Sequence, residues 1–245
     1  MTPITEIHLN FSFLSTCIVA EIPSYIKVCG RRNPQLDNCI RNSVEAMRAK
    51  LREGIPELKI PSIEPMYMDN VSLADLPNFK AFARDVRLHG LSNFIVDNLH
   101  SDLEKNQFEV ELTFKEVTLK ADYDVNAKIL VPVAGTGPIN IVATDVTAKV
   151  IMNFKVIDRK GKKFVFFPSM NTKLNIKDYT SQFTPQEGPD STLSTAINAA
   201  LENSRQEIID STTPNLERKI SEDILQIANK ICKFFTYDEL FPDRE

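Results

Sequence analysis

Histidine is scarce in this 245-residue chain. Only His8, His89 and His100 occur, and no two stand at the spacing of metal ligands. His89 sits at a strand end before Gly90, and His100 sits in a polar stretch. Neither adjoins a nucleophile motif, so no catalytic triad can be assembled around them. Glycine is scarce too, with seven in all. The close pair Gly135-Thr-Gly137 lies between two strand patterns with no helix start after it. It reads as a turn and not as a phosphate loop. No apolar run reaches the length of a transmembrane helix. Cations are not in excess: 29 Lys and Arg stand against 33 Asp and Glu, a net charge of −4. That excludes an electrostatic nucleic-acid binder. The longest basic run, Arg159-Lys160-Gly161-Lys162-Lys163, reads as a solvated hairpin turn, with contact to anionic lipid as the sharper alternative. Glu109 and Glu111 alternate on a wet strand face and are solvated. These absences point away from an enzyme and imply no metal and no cofactor.

What is present begins with a short apolar stretch, Phe11 to Ala20, followed by Glu21-Ile-Pro23. Its length suits the core of a secretory signal, and Ala20 is a small residue before a cleavage point. The flank before it carries Glu6 and no Lys or Arg, which is weak for that role. We read 1–20 as a signal peptide and 21–245 as one domain, secreted to the extracellular space. Cys17 would leave with the signal. Cys29 and Cys39 bracket a short loop. As a bridge in an oxidising compartment they would stabilise the fold by about 3 kcal/mol; as two buried thiols they would not. Cys232 reads as a small apolar residue in the last helix.

The first helix has local signals at both ends. Asn33 can cap it, Pro34 suits the first helical position, and Asp37 complements the dipole. Leu36, Ile40, Val44, Met47 and Leu51 recur on one face. Gly54 and Pro56 stop it. From about Ser62 to Thr180 the period changes to two. Phe82, Val86 and Leu88 lead into His89-Gly90. Phe108, Val110, Leu112 and Phe114 alternate with polar residues. After Lys115-Glu116 the phase slips by one, and Val117, Leu119, Ala121, Tyr123 and Val125 hold the opposite parity. Such a slip predicts a bulge or tight bend. Val142, Val146, Ala148, Val150, Met152, Phe154 and Val156 mark the next run, and Phe164, Phe166, Met170, Leu174 and Ile176 another. These runs are far longer than a typical strand, which implies strong curvature around another element.

That element is the C-terminal helical region. Leu193, Ile197, Leu201 and Ile208 form one stripe; Leu216, Ile220, Ile224, Ile227 and Ile231 form another. Pro214 either starts a second helix or kinks a single one. The fold class is therefore α+β, a long curved antiparallel sheet wrapped on one or two long helices. The pattern alone does not say whether the facing surfaces meet or leave a cavity.

Several segments together resemble a known family: Pro23-Ser-Tyr-Ile-Lys-Val-Cys29, Asn33-Pro-Gln-Leu-Asp-Asn-Cys39-Ile40, Gly54-Ile-Pro-Glu-Leu58, Pro61-Ser-Ile-Glu-Pro65, Gly90-Leu-Ser92, Tyr123, Ile129 to Gly137, and Tyr237-Asp-Glu-Leu-Phe-Pro242. In order and spacing they resemble the takeout and insect juvenile-hormone-binding protein family, over essentially all of the chain after Ala20. The resemblance implies the tubular lipid-binding superfamily fold, in which the sheet encloses an elongated apolar tunnel around the helix. It also implies a Cys29–Cys39 disulfide, secretion, and a small hydrophobic partner such as a terpenoid or a fatty-acid-like molecule. The second bridge of the four-cysteine hormone binders has no counterpart here, so the chain is takeout-like. Thr236 stands where the family often has proline.

A carrier needs an apolar lining with a few polar groups. The candidates are Val110, Leu112, Phe114, Val150, Met152, Phe154, Phe166, Leu193, Ile197 and Leu201. Tyr123 is the candidate polar handle. The competing reading is a secreted signalling protein whose tunnel is structural or holds a fixed lipid, and whose exterior binds a receptor. Asn70-Val-Ser72 is a glycosylation sequon.

Overall fold

Two very long strands form the spine of the molecule. In the computed structural model, which describes residues 22–77, 79–128, 132–183, 195, 198–199, 202–203 and 205–245, β4 spans Gln107–Lys128 and β5 spans Pro132–Arg159. They pair antiparallel from Gln107↔Asn153 to Lys128↔Pro132. Each carries two shorter strands along its free side. On β4 these are β3 (Ile95–Asp102) near one end and β2 (Phe79–His89) near the other. On β5 they are β6 (Lys162–Asn175) and β7 (Asp178–Phe183). β1 (Met66–Leu76) pairs with β2 and ends the sheet on that side. Gly135 and Gly137 lie inside β5, opposite Val125 and Tyr123, and not in the expected turn.

The expected phase slip in β4 is real, and β5 matches it. Before the slip Val110, Leu112 and Phe114 face inward; after it Val117, Leu119 and Val125 do. In β5 the inner set is Ile139, Ile141 and Ala143, then Val146, Ala148 and Val150. Asp145, with φ 49, marks the break. Both strands shift by one at the same level, so the ladder keeps its register from end to end. The sequence reading placed Val142 inside because it missed the second slip.

The same effect corrects Phe82. Asp85, with φ 50, breaks β2 between Ala83 and Val86. Ala81, Ala83, Val86 and Leu88 face the core, and Phe82 is 44% exposed.

α1 runs Leu36–Glu53. It starts later than expected, because the Asn33 side chain spends its Oδ1 on the Gln35 N–H (2.8 Å) in a turn before the helix. Gly54, with φ 88, ends it as expected. Cys29 and Cys39 are joined by a disulfide that ties the segment before α1 to the helix. Asp37 does more than face the dipole. Its carboxylate accepts from the Ser101 amide (2.7 Å) and hydroxyl and lies beside His100, which fastens α1 to β3. Desolvation pushes the Asp37 carboxyl up, but these hydrogen bonds outweigh it and hold the group below the usual carboxylate range.

α2 spans Arg205–Cys232, with Pro214 inside it. It packs against both β6 and β1 and so bridges the two borders of the curled sheet. On β6 the contact is built from hydrogen bonds. The Asn229 amide accepts from the Phe167 N–H and donates to the Phe167 carbonyl, both at 2.9 Å. Glu217 accepts from the Leu174 N–H (2.9 Å) and pairs with Lys173 (2.8 Å). Ser221 donates to Thr172 (2.8 Å). Side chains of the helix thus satisfy backbone groups that a border strand leaves open. On β1 the contact is apolar, with Leu216 and Ile224 against the cluster of Met66, Met68 and Val71.

The last helix, α3 (Tyr237–Leu240), is capped by Thr236, whose hydroxyl accepts from the Glu239 N–H while Glu239 reaches back to the Thr236 N–H. The tail after it binds the N-terminal segment: the Arg31 and Arg32 amides donate to the Pro242 and Arg244 carbonyls. Gly30 permits this approach, since a Cβ there would lie 2.2 Å from the Arg244 carbonyl oxygen.

Candidate functional site

The inner faces of the sheet and helices do not meet. Between them lies a cavity of about 520 Å³. The wall draws on every main layer: Val44, Met47 and Leu51 from α1; Val96 and Leu99 from β3; Val110 to Val125 from β4; Ile139 to Met152 from β5; Met170, Thr172 and Leu174 from β6. α2 contributes a long stripe, Ile208, Ile209, Thr212, Leu216, Ile220, Ile224, Ile227 and Ile231. A three-to-four-residue spacing places these on one side of a helix, so one element lines the length of the cavity.

One end is plugged by rings. Phe108 stacks on Phe154 with centroids 5.2 Å apart, and Phe167 and Phe241 join them at 6.2 and 6.3 Å from Phe108. Cys232 sits in the same cluster, and burial pushes its thiol up to about 12, so it stays a protonated apolar group.

Among the described lining residues there is no carboxylate, ammonium, guanidinium or imidazole. The polar contributors are Thr172, Tyr179, Ser181, Thr212 and Thr213. Thr172 accepts from Ser221. Tyr179 has its hydroxyl pushed up by burial, with the Arg205 guanidinium, 5.8 Å from its ring centroid, opposing in part. Thr212 and Thr213 have hydroxyl oxygens buried without a partner, on the turn of α2 just before Pro214. None of these described polar groups is a carboxylate or imidazole that could act as a general base toward a hydroxyl.

Val110, Leu112, Phe114, Val150 and Met152 lie on the cavity wall. Three other expected residues do not. Tyr123, on β4, is only 1% exposed and sits in the core cluster with residues of β1, β2 and β5, its ring edge-on to Phe183 at 5.1 Å. Burial raises its hydroxyl pKa. Phe154 belongs to the plug. Phe166 is on the outer surface, 37% exposed, because β6 changes phase around Pro168 and Ser169. Val165 and Phe167 take the inner places before that break, and Met170, Thr172 and Leu174 after it. Leu193, Ile197 and Leu201, and the segment 1–20, lie outside the described residues. The α2 residues are among the wall residues not singled out beforehand. Their stripe was visible in the sequence, but a stripe that meets a core and one that meets a void look alike.

Three comparisons bear on this arrangement. Residues 9–242 match the family described as haemolymph juvenile hormone binding protein. A Schistocerca gregaria protein provisionally named a beta-carotene-binding protein is 21% identical over 229 residues, 89% of each chain. The crystal structure of Epiphyas postvittana Takeout 1 superposes with a TM-score of 0.73 at 18% identity, covering 88% of this chain and 99% of that one. That likeness is one of fold: a curled antiparallel sheet with a long C-terminal helix.

Proposed function

Because this chain belongs to the haemolymph juvenile hormone binding protein family, a family of hydrophobic-ligand binders, we propose that it is a secreted carrier that holds one small hydrophobic molecule in its internal cavity. The observation that carries this reading is a cavity of about 520 Å³ whose described lining residues include no charged side chain. Packing defects in a protein core are rarely larger than a water molecule, whereas ligand sites span about 300–1,000 Å³. Such a void forfeits contact energy in every residue around it unless a guest restores it. Burying about 300 Å² of an apolar guest contributes about 7 kcal/mol before ordering costs.

The wall also selects the guest. An ionised head group inside it would be desolvated without a counter-charge, at a cost of several kcal/mol. The guest is therefore a neutral terpenoid or lipid-like molecule, or one whose charged head stays outside. One uncharged oxygen on it is served by the Thr212 and Thr213 hydroxyls, which lack partners. No chemistry on the guest is required. The disulfide is consistent with an oxidising, extracellular setting.

The test is uptake and displacement. Protein taken from its natural source is expected to carry an extractable apolar molecule in native mass spectrometry, and a fluorescent fatty probe is expected to saturate at one equivalent. Ile220→Asp on the inner stripe should weaken uptake at least tenfold, since it buries an unpaired carboxylate in the wall. Glu111→Ala, which removes an outer-face pair with Lys149, should leave uptake unchanged. Equal loss in the two variants, or a probe that never saturates, would overturn the carrier reading.

A further inference from the structure

After residue 20, Asn70-Val71-Ser72 is the one Asn-x-Ser/Thr sequence in the chain. The fold places it in β1, which pairs with β2 alone and so forms a border of the sheet. Val71, 3% exposed, points into the core with Ala83 opposite it. Asn70 and Ser72 point the other way, opposite Arg84 and Phe82. α2 meets β1 from the inner side, through Leu216 and Ile224. It leaves Asn70 exposed on the outer face.

Two further observations converge there. Among the described residues, Tyr67 at 65% and Phe82 at 44% are the most exposed large hydrophobic side chains. Both stand on this outer face. Tyr67 lies between the buried Met66 and Met68, three residues before Asn70. Phe82 lies opposite Ser72 and so diagonal to Asn70 on the neighbouring strand. Exposed aromatic rings at the border of a sheet invite a second chain unless something covers them. The other observation is the Ser72 hydroxyl, which is buried without a hydrogen-bond partner. The folded sheet makes no use of it, and an unsatisfied buried hydroxyl costs stability. Oligosaccharide transfer to Asn70 does require it, and that transfer acts on the emerging chain before the strand has formed.

We propose that Asn70 carries an N-linked glycan whose first sugar rings lie over Tyr67 and Phe82. The proposal rests on the reading of the chain as secreted, since the secretory path supplies both the transferase and the lipid-pyrophosphate-linked oligosaccharide. In the transfer the Asn70 side-chain nitrogen bonds to the anomeric carbon of that oligosaccharide. The bond from the same carbon to pyrophosphate breaks, and the nitrogen gives up one proton. Once attached, the C–H face of a pyranose packs on an aromatic face, where the ring quadrupole is negative. The glycan thereby covers both rings and bars the β1 border from pairing with another chain. Tyr67, Asn70 and Phe82 are not on the cavity wall, so the glycan is measured separately from guest uptake.

The experiment expresses the full chain in cultured insect cells and compares medium with cell fractions by gel mobility, and by peptide mass spectrometry after peptide N-glycosidase treatment. The expected result is protein in the medium whose mobility rises with the enzyme and whose Asn70 is converted to aspartate. Asn70→Gln and Ser72→Ala should each abolish the shift, and Ser72→Thr should keep it. Secreted protein with an unmodified Asn70 would overturn the proposal and leave the carrier reading standing. Protein retained in the cytosol would overturn the proposal and the secreted reading together. Sedimentation velocity reads the shielding, with far-UV circular dichroism melts to check that each variant folds. Asn70→Gln, and wild-type protein stripped by the enzyme, should self-associate at concentrations severalfold below those of the glycosylated protein. Adding Tyr67→Ser and Phe82→Ser to Asn70→Gln should reverse this. Stripped protein no more prone to self-association than its glycosylated parent would overturn the placement of the sugars over the two rings.

Discussion

Glu64 stands where the chain needs two opposed demands met. Its Oε1 accepts from the Gly90 N–H at 2.8 Å, and its Oε2 accepts from the Ser92 N–H and hydroxyl at 3.1 and 3.0 Å. Gly90, with φ 90, supplies the left-handed bend between β2 and the short turn Leu91–Asn93, and a Cβ there would meet the Glu116 carbonyl oxygen at 2.4 Å. Desolvation pushes the Glu64 carboxyl up, but the three donors and nearby His89 outweigh it and hold it below the ordinary range. A depressed carboxyl stabilises the fold above its unfolded pKa, and that contribution is lost as pH falls through the folded value. Glu64→Gln is therefore expected to cost about 2 to 3 kcal/mol at neutral pH and to flatten the acid limb of the stability curve. Urea titrations from neutral pH down through the carboxylate range read both effects. None of this was legible in Pro61-Ser-Ile-Glu-Pro65, where Glu64 is one acid in a loop. Its donors lie 26 and 28 residues away. Phe82 and Phe166 show the converse failure. Their neighbours announced alternation, and one positive-φ residue or one bulge reversed which neighbour faced inward.

At the scale of elements, the C-terminal end of α1 at Gly54, the long strands and the slip in β4 were readable, because each rests on local chemistry or on a period. The pairing of α2 with β6 was not, because it is made by scattered polar residues that look solvated in a helical pattern. Asn229 is the clearest instance. It takes the role of a missing neighbouring strand by closing both backbone groups of Phe167. Asn229→Leu leaves that N–H and carbonyl unsatisfied beside the phenylalanine plug. The expected cost is about 2 to 4 kcal/mol, read by chemical denaturation, with loss of hydrogen-exchange protection concentrated at Phe167. A uniform loss across the sheet would contradict the edge-capping role.

For the molecule as a whole, the question that separates a carrier from an ordinary core is whether the interior has room. Ala148 is 5% exposed and lies on the cavity wall in β5. In a filled core a phenyl ring at this position would cost about 1–3 kcal/mol. Here Ala148→Phe is expected to leave the melting temperature unchanged or raise it, while uptake of the fatty probe falls at least tenfold. A combined melt and titration decides between the two. The cavity was implied by the family resemblance but was beyond reach of the apolar pattern itself, since stripes state which way side chains point and not how far apart they end.

The matched slips at Lys115 and Asp145 carry a last consequence, for how such a chain can change length. Deleting Asp145 alone would turn the stretch of β5 before it inside out relative to β4, sending Ile139, Ile141 and Ala143 to solvent. Insertions and deletions within the spine are therefore viable only as coordinated pairs at one level, whereas single ones belong at the hairpin turns.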